Sequence, residues 1–333
     1  MANKKMTLHE VYKDYFRIGA AVNTKTVLED KDLISTHFNS ITAENEMKFE
    51  LLHPRENEYT FEAADSIVDF AKQHNIEMRG HTLVWHNQTP RWVFENESGS
   101  LVTREVLLNR LQEHIKTVME HFKDPFYSWD VVNEAVEDHG NFLLRKSPWL
   151  EIIGEDFIDK AFYFAKEANP VSNLYYNDYN ESHPEKREKI YKLVEGLVAR
   201  GVPIDGIGLQ GHWNLNNPSI EDIRKAIERY ASLGLKLEIT EMDISVFDFE
   251  DTRTDLVQPT NQMLEIQAEK YENVFKLFRE YSEHIESVTF WGVSDRYTWL
   301  SDFPVKDRKN WPLVFDKDGK PKKSFESITD FFD

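Results

Sequence analysis

Two carboxylic acids stand at the ends of two well-separated runs of strand-forming residues. Glu134, preceded by an amide, closes Trp129-Asp130-Val131-Val132-Asn133-Glu134. Glu241 lies in Leu235-Lys236-Leu237-Glu238-Ile239-Thr240-Glu241-Met242-Asp243. α/β barrel folds gather their chemistry at the C-terminal ends of parallel strands. Two acids so placed suggest hydrolysis of a glycosidic bond, in which one carboxyl protonates the leaving oxygen and the other attacks or activates water. Taken alone, Glu134 serves equally well as a catalyst or as a salt-bridge partner. Asp130 reads better as part of an interior hydrogen-bond or ion-pair network, and so does Glu238, because strand alternation turns it away from Glu241.

Other polar residues collect just past β-rich runs. They are Glu44-Asn45-Glu46-Met47-Lys48, His81-Thr82-Leu83-Val84-Trp85-His86, Asn177-Asp178-Tyr179-Asn180, Gln210-Gly211-His212-Trp213 and Trp291, with Trp299 beyond it. Each tryptophan by itself is more simply a core residue. Beside carboxylates and amides, an indole face is also what the C–H face of a sugar stacks on. His81, His86 and His212 fit no standard zinc spacing, so no metal is expected, and His86 reads as part of a supporting wall.

The elements that must position these groups recur in order. β-rich runs are Phe16 to Val22, Ser40 to Glu44, Ile76 to Trp85, Tyr127 to Val132, Asn173 to Tyr176, Ile204 to Leu209, Leu235 to Thr240 and Val288 to Val293. Helical patterns lie between them: Leu107, Leu111, Ile115, Val118 and Phe122 share one helix face. Ser182 with Glu185 fits a capping box opening a helix that Gly201 and Pro203 close, and Ser219 opens another that ends near Gly234. Alternating strands and helices imply a parallel sheet covered on both faces, and eight repeats favour a closed (β/α)8 TIM barrel. The rival, an open dinucleotide-binding sheet, lacks its glycine fingerprint, since Gly19-Ala20-Ala21-Val22-Asn23 has the wrong spacing. No Pro/Ser-rich linker divides the chain, so residues 1–333 read as one domain. The loops after the third and eighth runs are long and would wall the barrel top.

Composition narrows the function classes. A net charge of −19 over 333 residues disfavours nucleic acid, since Arg187 and Lys189 and similar scattered pairs make no basic patch. No run approaches the roughly 18 apolar residues of a membrane span. With no cysteine there are neither disulfides nor thiolate metal sites. The N-terminus, Met1-Ala2-Asn3-Lys4-Lys5-Met6, lacks an apolar leader core, and a cytoplasmic protein is expected.

The motifs resemble the family 10 glycoside hydrolases, the retaining endo-β-1,4-xylanases. The resemblance runs through Thr42-Ala43-Glu44-Asn45-Glu46-Met47-Lys48, Gly80-His81-Thr82-Leu83-Val84-Trp85-His86, Trp129 to Glu134, Asn177-Asp178-Tyr179-Asn180, Gly208-Leu209-Gln210-Gly211-His212, Ile239-Thr240-Glu241-Met242-Asp243 and Trp291-Gly292-Val293-Ser294-Asp295, in the family's order. It implies that Glu134 is the general acid/base and Glu241 the nucleophile. It also implies that Glu44, Asn45, Lys48, His81, Trp85, Asn133, Gln210, His212, Trp291 and Trp299 line the glycone subsites, with Tyr179 and Asn180 toward the aglycone. No cofactor is implied, and the partner is xylan or a xylo-oligosaccharide.

A retaining mechanism requires carboxyls about 5 to 5.5 Å apart, one protonated and one ionised. The charge of Glu241 is expected to raise the pKa of Glu134, and His212 with Asp243 to orient the nucleophile. Asn133 is placed to hold the 2-hydroxyl of the reacting sugar. Trp299 is a candidate for filling the space that a hydroxymethyl group would occupy. No binding module or linker accompanies the barrel, which suggests an intracellular enzyme for short, soluble xylo-oligosaccharides, with any tolerance of acidic decoration falling to Lys48 or Arg296. A cellulose- or cellobioside-cleaving barrel is the nearest alternative. A catalytically silent oligosaccharide-binding barrel is the other. Monomer and homodimer are both compatible with the acidic surface.

Overall fold

The structure, a computed structural model, describes residues 6–331. Its centre is a ring of parallel strands: β1 (Arg17–Val22), β2 (Ser40–Ala43), β3 (Glu77–Val84), β4 (Phe126–Asn133), β5 (Asn173–Asp178), β6 (Gly206–Leu209), β8 (Lys236–Ser245) and β9 (Ile285–Phe290). Each pairs with the next, β6 pairs directly with β8, and β1 closes the ring against β9 with Arg17 beside Ser287 and Ala20 beside Phe290. The eight-stranded TIM barrel read from the sequence is therefore the fold.

A helix follows every barrel strand, as parallel crossovers require. In chain order these are Lys31–His37, Glu62–His74, Arg104–His121, Phe157–Ala168, Pro184–Ala199, Ile220–Ala231, Asn261–Glu280 and Lys323–Thr329. The predicted face of Arg104–His121 is the one that packs inward: Leu107, Leu111, Ile115 and Val118 are fully buried and Phe122 nearly so. Each such side chain contributes about 1.5–3 kcal/mol relative to exposure. Ser219 caps its helix by accepting from the Asp222 N–H at 3.1 Å. Ser182 does not cap. The helix begins at Pro184, whose fixed φ suits the first helical position, and buried Ser182 instead donates to Glu181.

Every barrel strand differs from the sequence reading by a residue or more at one end or both, and three of the differences bear on the site. The strand entering Glu241 continues to Ser245 because a short strand, β7 (His212–Asn214), pairs with its outer end, His212 beside Asp243. Three residues with one buried tryptophan carry too little periodicity to announce β7. The last barrel strand is Ile285–Phe290, so Trp291 lies just past its end, and β5 runs on to Asp178.

The barrel interior is unusually polar for a fold whose centre is normally filled by branched apolar side chains. Thr42, Arg79 and Ser128 sit in register on β2, β3 and β4 and are fully buried, as are Asp130, Glu238, Ser287 and Thr289. Gly208 admits one more polar group at the top. A Cβ there would lie 2.3 Å from Oδ1 of Asn177.

Candidate active site

Glu134 is the residue after β4, and its backbone adopts φ +58°, a left-handed conformation that side-chain-bearing residues resist. The Glu134 N–H donates to the Asn177 carbonyl at 2.9 Å, and its own carbonyl accepts from Arg145 Nε at 3.1 Å. These bonds aim the carboxyl inward, where Oε2 accepts from Trp85 Nε1 at 2.8 Å and Oε1 from Gln210 Nε2 at 2.9 Å. Burial raises its pKa above the ordinary carboxylate value, and the charges of Asp178 and Glu241 add to that, against the two hydrogen bonds. The expected influence of Glu241 is present, but desolvation is the larger cause.

Glu241 has the opposite environment. Its Oε1 accepts from Asn177 Nδ2 at 2.9 Å and its Oε2 lies 3.0 Å from His212 Nε2. Burial alone would raise its pKa, but His81, His212 and Lys48 outweigh burial and hold it down at about 2. His212 reaches Asp243 Oδ2 through Nδ1 at 3.0 Å, and Trp299 Nε1 donates to the same oxygen at 2.8 Å. Between two carboxylates, and despite burial, the imidazole is pushed up to about 10, so both ring nitrogens carry protons and donate. The chain of His212 and Asp243 behind Glu241 is the one anticipated.

An amide bridge joins the acids. Asn133 Oδ1 accepts from Asn177 Nδ2 at 2.9 Å and from Gln210 Nε2 at 3.2 Å, and those same two amides hold Glu241 and Glu134. Thr240 Oγ1 fixes the Asn177 amide by donating to its oxygen at 2.6 Å. Asn177 was legible only as a polar residue at a strand end. Its bridging role depends on β5 lying between β4 and β6, which no local pattern reveals.

The remaining expected residues form the walls. Lys48 Nζ donates to Asn45 Oδ1 and Gln88 Oε1, both at 3.0 Å, and sits 5.0 Å from the Trp85 ring centre. Glu44 Oε2 accepts from Asn23 Nδ2 at 3.3 Å. Trp291 stands edge-on to His81, ring centres 5.3 Å apart, and to His212 at 6.4 Å. Trp299 packs against His212 at 4.8 Å. On the opposite flank, Tyr179 bonds Asp138 and accepts from Arg145 Nη2 at 2.7 Å, beside Glu134. Asn180 is exposed in the turn after β5 with φ +52°. His86 shares with Trp85, Asn133, Glu134 and Arg145 the lining of a small hollow behind the acid, and burial keeps it neutral, with its pKa down at about 4.

His81, Asp130 and Glu241 bring donor atoms within 4.8 Å of one another, a grouping that could hold a cation. Both Asp130 oxygens are engaged, Oδ1 by Arg79 at 2.5 Å and Oδ2 by His81 Nδ1 at 2.9 Å. A guanidinium so close repels a second cation, and the donor set fits a hydrogen-bonded ion-pair chain better than a metal centre. Asp130 and Glu238 do belong to an interior network, as read. Alternation does not separate Glu238 from Glu241, however. The β8–β9 register slips between Ile239 and Met242, and both acids are buried in the barrel, Glu238 toward its floor.

Residues 7–331 match the sequence profile of glycosyl hydrolase family 10. The chain is 56% identical over 328 residues to endo-1,4-beta-xylanase B of Paenibacillus barcinonensis, covering 98% of this chain and 99% of that one. It is 55% identical over 326 residues to an endo-1,4-beta-xylanase of Geobacillus stearothermophilus, covering 98% of each. Among solved structures, xylanase XynB of Paenibacillus barcinonensis complexed with a conduramine derivative superposes with a TM-score of 0.96 at 56% identity over 99% of both chains. A mutant structure in complex with xylotriose matches with a TM-score of 0.96 at 54% identity, over 98% of this chain and 100% of that one.

Proposed function

The chain belongs to glycosyl hydrolase family 10, and from that premise we propose that it is an endo-1,4-β-xylanase that cleaves xylan and xylo-oligosaccharides with retention of configuration. Relatives above half identity over nearly their whole length are named endo-1,4-beta-xylanases, which supports the activity and the substrate class. The observation that carries the mechanism is the contrast between two neighbouring acids. Glu134 is buried with its pKa raised, and Glu241 is held at about 2 by His81, His212 and Lys48. At neutral pH this favours one proton donor and one nucleophile, the division of labour that double displacement needs.

In the first step Glu134 gives its proton to the glycosidic oxygen as that oxygen leaves. Glu241 attacks the anomeric carbon and forms a glycosyl ester. The ester removes the negative charge near Glu134, so its carboxylate becomes easier to form. In the second step Glu134 takes a proton from water, the hydroxyl adds to the anomeric carbon, and the Glu241 carboxylate departs. Asn133, its oxygen held by two amides, is oriented to donate from Nδ2 to the oxygen of the sugar 2-hydroxyl, a contact that can strengthen in the transition state. Asn177 and His212 grip Glu241 from two sides and prevent it from rotating away from attack.

The glycone side is assigned to Glu44, Asn45, Lys48, His81, Trp85, Gln210, Trp291 and Trp299, and the aglycone side to Tyr179 and Asn180. A cytoplasmic site of action on soluble fragments remains part of this reading; recovery of the native protein outside cells would overturn that part. The test of the mechanism is to follow the first products from a β-linked xylo-oligosaccharide by proton NMR. Initial β-anomer is expected. Initial α-anomer would mean inversion with a wider separation of the acids, and binding without turnover would leave an oligosaccharide-binding barrel.

A further inference from the structure

Beneath the catalytic residues an unbroken run of charged contacts descends into the barrel. His81 Nδ1 lies 3.8 Å from Glu241 Oε1 and 2.9 Å from Asp130 Oδ2. Asp130 Oδ1 accepts from Arg79 Nη2 at 2.5 Å, and Arg79 Nε donates at 2.5 Å to Glu238 Oε2. Ser128 Oγ adds a bond to Glu238 Oε2 at 3.2 Å. Arg79 thus reaches from β3 on one side of the ring to β8 on the other, and its side chain, like those of Asp130 and Glu238, is fully buried.

Burying an arginine at the centre of a barrel is costly, and a buried ion pair is often no more stabilising than apolar residues of the same volume. A purely structural account therefore leaves the choice of residues unexplained. The geometry offers another. Asp130 determines which imidazole nitrogen of His81 carries the donated proton and how the ring is turned, but a carboxylate can pivot. Arg79 removes that freedom by holding one oxygen of Asp130 through Nη2 while Glu238 anchors it through Nε, which leaves the other Asp130 oxygen aimed at His81 Nδ1.

We propose that Arg79, anchored by Glu238, is a positioning residue for the reaction, acting through Asp130 to fix the orientation of His81 beside Glu241. The assignment rests on the reading of Glu241 as nucleophile. Glu241 faces His81 from β3, His212 from β7, Lys48 and Glu44 from the segment after β2, and Glu134 from just past β4. Of these, His81 is the one whose placement depends on the buried arginine.

The test compares Arg79→Met and Arg79→Lys with the wild type on an aryl β-xylobioside, measuring kcat and KM across pH at a temperature where each is folded. Arg79→Met removes the cation at similar volume. It is expected to lower kcat/KM about tenfold or more, chiefly in kcat, and to move the acidic limb of the profile to higher pH, because Asp130 is left uncompensated beneath the nucleophile. Arg79→Lys keeps the charge but cannot hold both carboxylates, so it should return the limb to its wild-type position while recovering only part of the rate. A profile and kcat/KM within about twofold of wild type in Arg79→Met, with only Tm lowered, would overturn the assignment. If Arg79→Met does not fold, Arg79→Lys decides: a loss in kcat supports positioning, and wild-type kcat/KM refutes it. Absence of wild-type turnover would instead refute the functional reading on which the assignment depends.

Discussion

Glu134 and Glu241 carry the same functional group with pKa values pushed in opposite directions, and variants should test their proposed roles. Glu134→Ala is expected to lower kcat/KM by about 10²–10⁴ on substrates with a poor leaving group, and far less on an activated aryl xylobioside, which departs without a proton. Steady-state kinetics across a leaving-group series checks this, and an equal loss throughout the series would remove Glu134 from the acid role. The His212–Glu241 pair also writes itself into stability. Glu241 is depressed from 4.5 to about 2, so its contribution is present above the ordinary carboxylate value and lost as pH falls through about 2. His212 is raised from 6.5 to about 10, so its contribution is full below 6.5 and lost as pH rises through about 10. These are two views of one interaction. The Tm difference between wild type and His212→Gln should be widest between pH 4.5 and 6.5 and narrow on both sides. Both acids were recognisable from residue type and position. The direction of their pKa ordering was expected too, but its main cause was not, because burial and the nearby Asp178 charge exist only once β4 and β5 lie side by side.

At the scale of the elements, strand register decides which side chains meet. Gly208 on β6 pairs with Asn177 on β5 and Glu238 on β8, and its missing side chain is what lets the Asn177 amide stand between Asn133 and Glu241. Gly208→Ala is therefore expected to displace Asn177 and reduce kcat/KM about tenfold or more, since small displacements of supporting groups are costly to catalysis. Asn177→Ala should reproduce the loss, and the double variant should be no worse than either, because both act on the same bridge. Additive losses in that double-mutant cycle would refute the coupling. Periodicity revealed the helices and the barrel strands, since a helix such as Arg104–His121 presents its apolar face every three or four residues. It could not reveal β7 or the slip between Ile239 and Met242, which arise from pairing between strands distant in sequence.

The whole molecule combines a strongly acidic net charge with a proposed substrate that carries none. At a net charge of −19, self-repulsion weakens the compact state, whereas a neutral xylo-oligosaccharide gains nothing from the field. Raising salt from low to about 0.15 M, where the screening length shortens to about 8 Å, should raise Tm while leaving kcat/KM on an undecorated oligosaccharide essentially unchanged. A steep salt dependence of kcat/KM on that substrate would show that charge takes part in its capture. Ring closure is also a property of the whole chain. The first and last strands pair, and near them Tyr12 packs on Phe275 and Phe331 while its hydroxyl donates to the Ile328 carbonyl. The N-terminal and C-terminal segments are thus parts of one core.

What the sequence determined by itself was everything carried by local order: the alternation of strands and helices, the polar residues at strand ends, and the motifs that resemble one enzyme family. Those signals have short periods or fixed spacings, so they survive without a third dimension. Only the tertiary structure decided that Asn177 bridges the two acids, that Glu238 shares the barrel interior with Glu241, and that Arg79 joins opposite walls of the ring. The physical reason is that these networks depend on side chains 44 to 159 positions apart being brought within hydrogen-bonding distance by closure of the barrel.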